Sequence, residues 1–494
     1  MTIREYEAIV LGAGPAGSAV AKLLAEWGHR VLLIDRPPPH RLGLAISIPP
    51  STRRTFAALG MQDAVEAAGF HEWRGNTVWW SEQEPRVERF PDDARGHHVL
   101  RASLSDALRP LAVDAGADLR EGLVRDVNFA EDSRVSVTID SGEQEWRARA
   151  RMSLDCTGRS GRIARHCLRL LETSHRTVAL VGQWRSEGGW KGVDDTHTLV
   201  AAYEDGWAWS IPTAAGVRYF TVMVDPERTQ LTRGHSAEVV YLAELAKLDV
   251  LRSLLQRGRL AEGPWGHDAT LYSAHRYAGP AFLLVGDAAS FIDPLSSFGV
   301  KKALASAWVS AIVTHTALVR PGMRNEALAF HERRERAVYV SYRAQSASFA
   351  ATAGQSHHPF WAARSSSFEE VESDADLDTA ALAHDPEVAR AFDELRRRPE
   401  IRLREGLSLR ITSRALIRGR EIVLDDHLAL PECPDGIRYL RGVDLVELVR
   451  LAPHLTDVGD LYGSVLGQQP GVGLPDFLAA LSWLIARGVL RHES

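Results

Sequence analysis

Cysteine is scarce in this 494-residue chain: Cys156, Cys167 and Cys433 are the only three, and none belongs to a CxxC pair. That excludes a disulfide framework and a thiolate zinc site. Lysine is rarer than its chemistry would lead one to expect. Only five of the 58 basic residues are lysine, at positions 22, 191, 247, 301 and 302. No side-chain amine is therefore available anywhere between residues 22 and 191. Strong charge of either sign is also missing, with a net charge of −6 and a pI near 6.4. Neither nucleic acid nor an anionic membrane is an expected partner. Long apolar runs are absent too. Residues 8–34 are apolar in places, but Gly12, Gly14, Gly17 and several charges interrupt them, which argues against a membrane span. Nothing at the N-terminus resembles a signal peptide, and the expected compartment is a reducing cytoplasm. His357 and His358 have no third ligand in register, so no metal is expected. What remains is 45% hydrophobic and 25% charged, an ordinary globular composition. At about 100–200 residues per domain, the length corresponds to two or three domains.

Chemistry first appears at Tyr6-Glu-Ala-Ile-Val-Leu-Gly-Ala-Gly-Pro-Ala-Gly17. A short apolar strand runs into GxGxxG, a helical pattern follows, and Val31–Ile34 reads as a second buried strand ending at Asp35-Arg36. Gly12 suits the tight turn, Gly14 lets backbone approach a pyrophosphate, and Gly17 lets helix and strand pack. Pro15 and Ala16 open the helix whose free N–H groups face the phosphates. Asp35 stands where an acid bonds the adenosine ribose. A second strand, Phe282–Val285, delivers Gly286-Asp287, and after Pro294 the pair Gly299-Val300 opens a helix running from Lys301 to Thr314. The carboxylate of Asp287 is placed for a ribityl hydroxyl. The helix N-terminus suits the electron-rich pyrimidine edge of a reduced flavin. The cofactor expected is FAD. No second GxGxxG follows a strand, so a separate nicotinamide domain is not expected. Reduction would come from transiently bound NAD(P)H or from a partner reductase.

These pieces resemble the class A flavoprotein monooxygenase superfamily. The resemblance implies that Arg101, ahead of the helix at Ala102–Leu108, reaches the flavin phosphates or ribityl chain. It also implies that the backbone around Val124 brackets the adenine, and that Leu154-Asp-Cys-Thr-Gly-Arg-Ser-Gly161 closes the first half of the domain. Gly206-Trp-Ala-Trp-Ser-Ile-Pro212 resembles the GWxWxIP segment of flavin-dependent tryptophan-halogenase-like enzymes, and Gly286–Val300 resembles their GDAAxFIDP…SxGV. The substrate pocket would then include Trp207, Trp209 and Phe298. Strand tryptophans are also common core residues. Halogenases of this kind need a lysine near the flavin, and neither Arg41–Pro49 nor Gly69–Trp79 contains one. Arg74 is no substitute, because a guanidinium stays protonated. The expectation is therefore hydroxylation of an aromatic ring by the flavin C4a-hydroperoxide with O2 as co-substrate, and no halogenation. Asp293–Leu304 is most similar to flavoproteins that hydroxylate a tryptophan inside a protein during tryptophylquinone biogenesis. A polypeptide or its maturation complex would then be the partner. Ser47, Trp209 and Ser296 are the candidate catalytic residues.

The expected fold is α/β: a Rossmann-like FAD domain (1–64, 99–171 and 279–340) with an inserted antiparallel-sheet substrate domain (65–98 and 172–278). Residues 341–404 read as helices broken at His357-His-Pro359 and by the acidic stretch Glu369–Asp378. Residues 405–494 read as a winged-helix-like module, with strands near Ile422–Leu424 and Ile437–Leu440, helices Asp444–Arg450 and Pro475–Arg487, and a final strand after Gly488. With only Arg487 and Arg491 near its last helix and wing, docking a protein or peptide, or packing onto the FAD domain, is favoured over binding DNA. Rival functions are a polyprenyl-type flavin reductase, which shares an aromatic-x-Trp-x-(Phe/Ile)-Pro segment, and a non-catalytic flavin-dependent regulator.

Overall fold

The computed structural model describes residues 3–36, 44–81, 84–130, 133–142, 144–166, 168–354, 356–365, 385–397, 400–431 and 433–493. The acidic stretch Glu369–Asp378, Cys167 and residues 41–43 lie outside them. The chain divides into two compact units, Met1–Glu369 and Glu370–Ser494. The finer four-part division read from the sequence is retained as a proposal.

The first unit is organised around the apolar strand Ala8–Leu11, every residue of which is buried. It pairs in parallel with Val31–Asp35 on one side and Met152–Asp155 on the other. Asp118–Glu121 and Phe282–Leu284 extend this parallel sheet, and the short strand Ala278–Gly279 ends it antiparallel. Continuous apolar strands are what a sheet covered on both faces requires. Helices Pro15–Glu26, Arg101–Asp114 and Gly299–Val319 pack together beside it. A four-stranded sheet (Ile3–Glu5, Glu145–Ala150, Val135–Asp140, Leu123–Phe129) shares a core with the strand residues Ile9, Leu11, Leu32 and Ile34. This is the expected Rossmann-like domain.

The inserted sheet has seven strands, in the order Arg259–Asp268, Val178–Arg185, Val217–Val224, Gly206–Ala214, His197–Tyr203, Gly75–Trp79 and Arg86–Arg89. It is not wholly antiparallel as expected. His197–Tyr203 and Gly75–Trp79 run parallel, because they come from two separate excursions of the chain and not from a hairpin. Side chains alternate between the faces. Ala208 packs outward with Val240, Tyr241 and Leu251 of the helices Ala237–Ala246 and Asp249–Leu255. Trp207, Trp209 and Ile211 face inward with Ala350, Phe360 and Trp361. These last three residues belong to helices Arg324–Ala351 and Pro359–Ser365. A small sheet of Ala45–Ile48, Gly96–Leu100 and His71–Trp73 stands at the junction.

Gly299–Val319 is long and apolar enough to cross a membrane by length and composition, but 72% of its most apolar stretch is buried within the protein.

The second unit holds helices Pro386–Arg397, Leu445–Leu451, Val458–Gln468 and Leu474–Ala486 around a core that includes Phe477, Leu481 and Trp483. The final strand Leu490–His492 pairs with Leu403–Glu405, completing a helical, winged-helix-like module. Two features exceed the sequence reading. A long hairpin joins Ile411–Arg418 to Glu421–Leu430, and Val458–Gln468 is helical. Gly459, Gly463 and Gly467 obscure that helix in the sequence, since glycine costs about 1 kcal/mol in a helix interior. Asp457 starts it by accepting from the N–H groups of Gly459 and Asp460.

Candidate flavin and substrate site

The three glycines of the first turn have distinct surroundings. Gly12 has φ +91°, and a Cβ there would lie 2.7 Å from the carbonyl oxygen of Cys156. A Cβ on Gly17 would lie 1.8 Å from the oxygen of Gly12. A Cβ on Gly14 meets nothing within 4 Å. The first two are therefore fixed by the protein itself, whereas Gly14 borders open space at the uncapped start of the helix opened by Pro15 and Ala16. Gly299 repeats this arrangement at the second helix start, where its Cβ would also meet nothing, and Val300 follows it. Two uncapped helix N-termini facing open space fit the phosphates and the pyrimidine edge of a flavin dinucleotide.

Polar groups converge between them. Asp35 accepts from the N–H of Ala13 at 3.2 Å and pairs with Arg109 at 3.2 Å. Arg36 is exposed beside it. Arg101 lies 3.7 Å from Asp287, and an ideal Cβ on Gly158 would be 3.2 Å from its guanidinium. The second strand, the Arg101 helix and the 155–161 turn thus meet at one place. Asp155, fully buried, holds that turn by accepting from the Oγ1 and N–H of Thr157 and the N–H of Ile163. Val124 is buried in the core beside the parallel sheet. Pro294 opens the short turn Pro294–Ser296 ahead of Phe298 and Gly299.

Lys302 had no assigned part. Its ammonium is buried, donates to the carbonyls of Gly286 (3.0 Å) and Ser290, and lies 3.7 Å from Asp287. It clamps the Gly286–Ser290 turn against the helix.

On the substrate side, Trp207 and Trp209 are buried and stack at 4.8 Å. Trp207 lines a crevice of about 20 Å³ together with Asp293, Leu295, Arg343, Arg364, Trp361 and His175. Trp209, stacked on Trp207, and Phe298 do not line it. Phe298 is half-buried and packs on Tyr342. Burial raises the Asp293 carboxyl, against the N–H of Leu295 and the Arg364 charge. Arg343 and Glu172 form a buried ion pair at 2.7 Å. Nothing local in the sequence links Glu172 and His175 to Arg343. An open cleft of about 680 Å³ lies outside the crevice, and His175 borders both.

Ser47 lies on the same inner side as Trp209. Its hydroxyl is 3.1 Å from that of Thr198, which is 2.9 Å from Nε2 of His98. Burial holds His98 well below the usual imidazole range, reinforced by His71, Arg218 and His197. Ser296 is occupied within its own turn, donating to the carbonyl of Asp293 and accepting from the N–H of Phe298. None of the five lysines lines the crevice.

This combination of fold and site defines a flavoprotein of the Rossmann type with an inserted substrate sheet. The tryptophan halogenase family model matches residues 94–395, and the chain belongs to that family. A lycopene cyclase model also matches residues 7–177. The tryptophan 2-halogenase of Chondromyces crocatus is 28% identical over 383 residues, 74% of this chain and 71% of that protein. Among solved structures, the flavin-dependent halogenase CmlS aligns over 100% of this chain and 96% of its own, with TM-score 0.74 and 21% identity. QhpG, a peptidyl tryptophan dihydroxylase essential for tryptophylquinone cofactor biogenesis, aligns over 98% and 99%, with TM-score 0.71 and 23% identity. The chain is thus a flavin-dependent enzyme of this family.

Proposed function

We propose that this enzyme hydroxylates an aromatic ring, an indole held as a tryptophan residue in a polypeptide, with O2 and reduced FAD as co-reactants. The observation that carries this reading is the absence of any lysine from the lining of the crevice beneath Trp207. The two structures that align over nearly the whole chain share the fold, so the fold does not choose between halogenation and hydroxylation; the lysine-free lining supports hydroxylation, the ammonium of Lys302 beside Asp287 being engaged by the carbonyls of Gly286 and Ser290. The description of QhpG supports a polypeptide substrate. The name of the Chondromyces relative favours the competing reading, halogenation of an aromatic ring.

Bound flavin, reduced by NAD(P)H or a partner reductase, would supply the two electrons that activate O2. The chain supplies everything else. The turn from Gly12 to Gly17 and the helix from Pro15 would hold the pyrophosphate, Asp35 and Arg36 the ribose end, and the backbone at Val124 the adenine. Arg101 and Asp287 would hold the ribityl region, and the turn from Pro294 with the N–H groups at Gly299 and Val300 the pyrimidine edge. Trp207, Trp209 and Phe298 would form the apolar wall that excludes water. Ser47, through Thr198 and His98, offers a path for a proton, and Ser296 fixes the turn that carries Phe298.

The test is a competition. The reduced holoenzyme is mixed with air, bromide and a synthetic peptide carrying one tryptophan, and the products are weighed by mass spectrometry. Oxygenated peptide without brominated peptide is expected. Bromination above the level given by free reduced flavin would overturn the reading.

A further inference from the structure

Resting on the hydroxylase reading, we infer that His175 is the catalytic base: its Nε2 takes the proton that the aromatic ring loses when oxygen is added, and the ring arrives through the cleft outside the crevice.

His175 lies between the strands Arg169–Leu171 and Val178–Arg185. Among the described residues it is the one bordering both the inner crevice, with Trp207, Asp293 and Trp361, and the outer cleft of about 680 Å³. That cleft is of a size that accepts an aromatic side chain with flanking backbone. The crevice, at about 20 Å³, has room for little more than a water molecule, so the ring stays in the cleft, against His175 at its inner end.

The hydrogen bonds then fix its tautomer. Glu172 is ion-paired with Arg343 at 2.7 Å and accepts from the N–H groups of Thr173 and Ser174, both at 3.1 Å. Burial raises its carboxyl, but the N–H and hydroxyl of Ser174 and the charge of Arg343 outweigh it and hold it below the usual range, so it is an acceptor only. The Ser174 hydroxyl donates its single hydrogen to Glu172 at 2.9 Å. Ser174 Oγ also lies 2.9 Å from Nδ1 of His175. With its hydrogen already given to Glu172, the hydroxyl can only accept there, so Nδ1 carries the proton. Nε2 therefore holds a lone pair, and it meets no hydrogen-bond partner among the described residues. Glu172 and Ser174 are positioning residues.

Charges from every side keep the ring neutral. Burial, with Arg364 from the Pro359–Ser365 helix and Arg343 from the Arg324–Ala351 helix, pushes His175 down to about 4. Glu172 on its own loop and Asp225, just after strand Val217–Val224, pull only partly in the other direction.

O2 takes up two electrons and two protons as the reduced flavin is reoxidised; the O–O bond breaks, one oxygen goes to the ring as a hydroxyl and the other leaves as water. The ring carbon forms its C–O bond from a π pair. Its C–H bond then breaks, the electron pair restores aromaticity and the proton passes to Nε2. The imidazolium returns that proton to water in the cleft.

Two measurements test the assignment. In holoenzyme labelled with 15N-histidine, with H175Q used to assign the signal, NMR should show an Nδ1–H tautomer with unprotonated Nε2 from about pH 5 to 8. An Nε2–H tautomer, or titration near the ordinary value of about 6.5, would overturn it. With the one-tryptophan peptide as probe, H175Q should lose oxygenated product about 100-fold while its flavin is still reoxidised by O2. Added imidazole should restore product in H175G. Wild-type product yield in H175Q, or no rescue, overturns the proposal. A wild-type enzyme that oxygenates no peptide defeats the hydroxylase reading instead, and the tautomer is read without any substrate, so the two failures are distinguishable.

Discussion

Gly14 and Gly17 stand three residues apart in one turn, yet replacing them should have opposite consequences. A methyl group on Gly17 would lie 1.8 Å from the carbonyl oxygen of Gly12. Ordinary contact needs more than 3 Å, so helix Pro15–Glu26 would have to move off its strand by over an ångström. Overpacking of this kind costs about 1–3 kcal/mol, and Gly17→Ala should lower the Tm of the apoprotein by about 1–4 °C. Gly14 has φ −70° and ψ −175°, a conformation open to any residue, and a Cβ there meets no protein atom within 4 Å. Gly14→Val should leave the apoprotein fold intact, with a change within about 1 kcal/mol. It should weaken FAD by about 100-fold, near 2.7 kcal/mol, because the side chain occupies the space the pyrophosphate needs. The assay pairs thermal unfolding of apoprotein with FAD titration followed by flavin fluorescence. Wild-type FAD affinity in Gly14→Val, or an unchanged Tm in Gly17→Ala, would refute the reasoning.

Other consequences follow from buried charge. Lys302→Met leaves the carbonyls of Gly286 and Ser290 without their donor and Asp287 without its neighbour, so it should cost about 3 kcal/mol. Thermal unfolding and flavin content after gel filtration both read this. His98 and His175 are held neutral in the folded protein, the latter down to about 4. Below about 6.5 the unfolded chain binds protons that the folded chain refuses. Each of these histidines should therefore remove about 1.4 kcal/mol of stability per pH unit as pH falls from about 6.5 towards its folded value. Denaturant titrations from pH 7 to 5 should show this loss, with a shallower slope in H98Q.

The parts of the molecule that were legible in the sequence are those whose chemistry is contiguous. The turn from Gly12 to Gly17, the Gly286-Asp287 strand end and the Trp207–Trp209 alternation each lie within about a dozen residues, and strand and helix periodicity does the rest. The Glu172–Arg343 pair joins a loop to a helix across most of the first unit, and no local spacing announces it. Lys302 carries no signal in the sequence beyond its place near a helix start; only packing against the Gly286–Ser290 turn buries its ammonium. Ser47 was chosen for its place in the chain. The structure gives it partners, Thr198 and His98, that only the meeting of two sheets could bring. The parallel pair His197–Tyr203 and Gly75–Trp79 was invisible for the same reason, because strands from separate excursions carry no turn to reveal their direction.

The proposal to be tested is that this family member puts oxygen, not halogen, on an aromatic ring. The most direct measurement supplies reduced holoenzyme with isotopically heavy O2, chloride and the one-tryptophan peptide, with free tryptophan in a parallel reaction. The account predicts heavy oxygen in the peptide's indole ring, little in free tryptophan, and no chlorine in either. Chlorinated product, or oxygen in the peptide drawn from water, would contradict it.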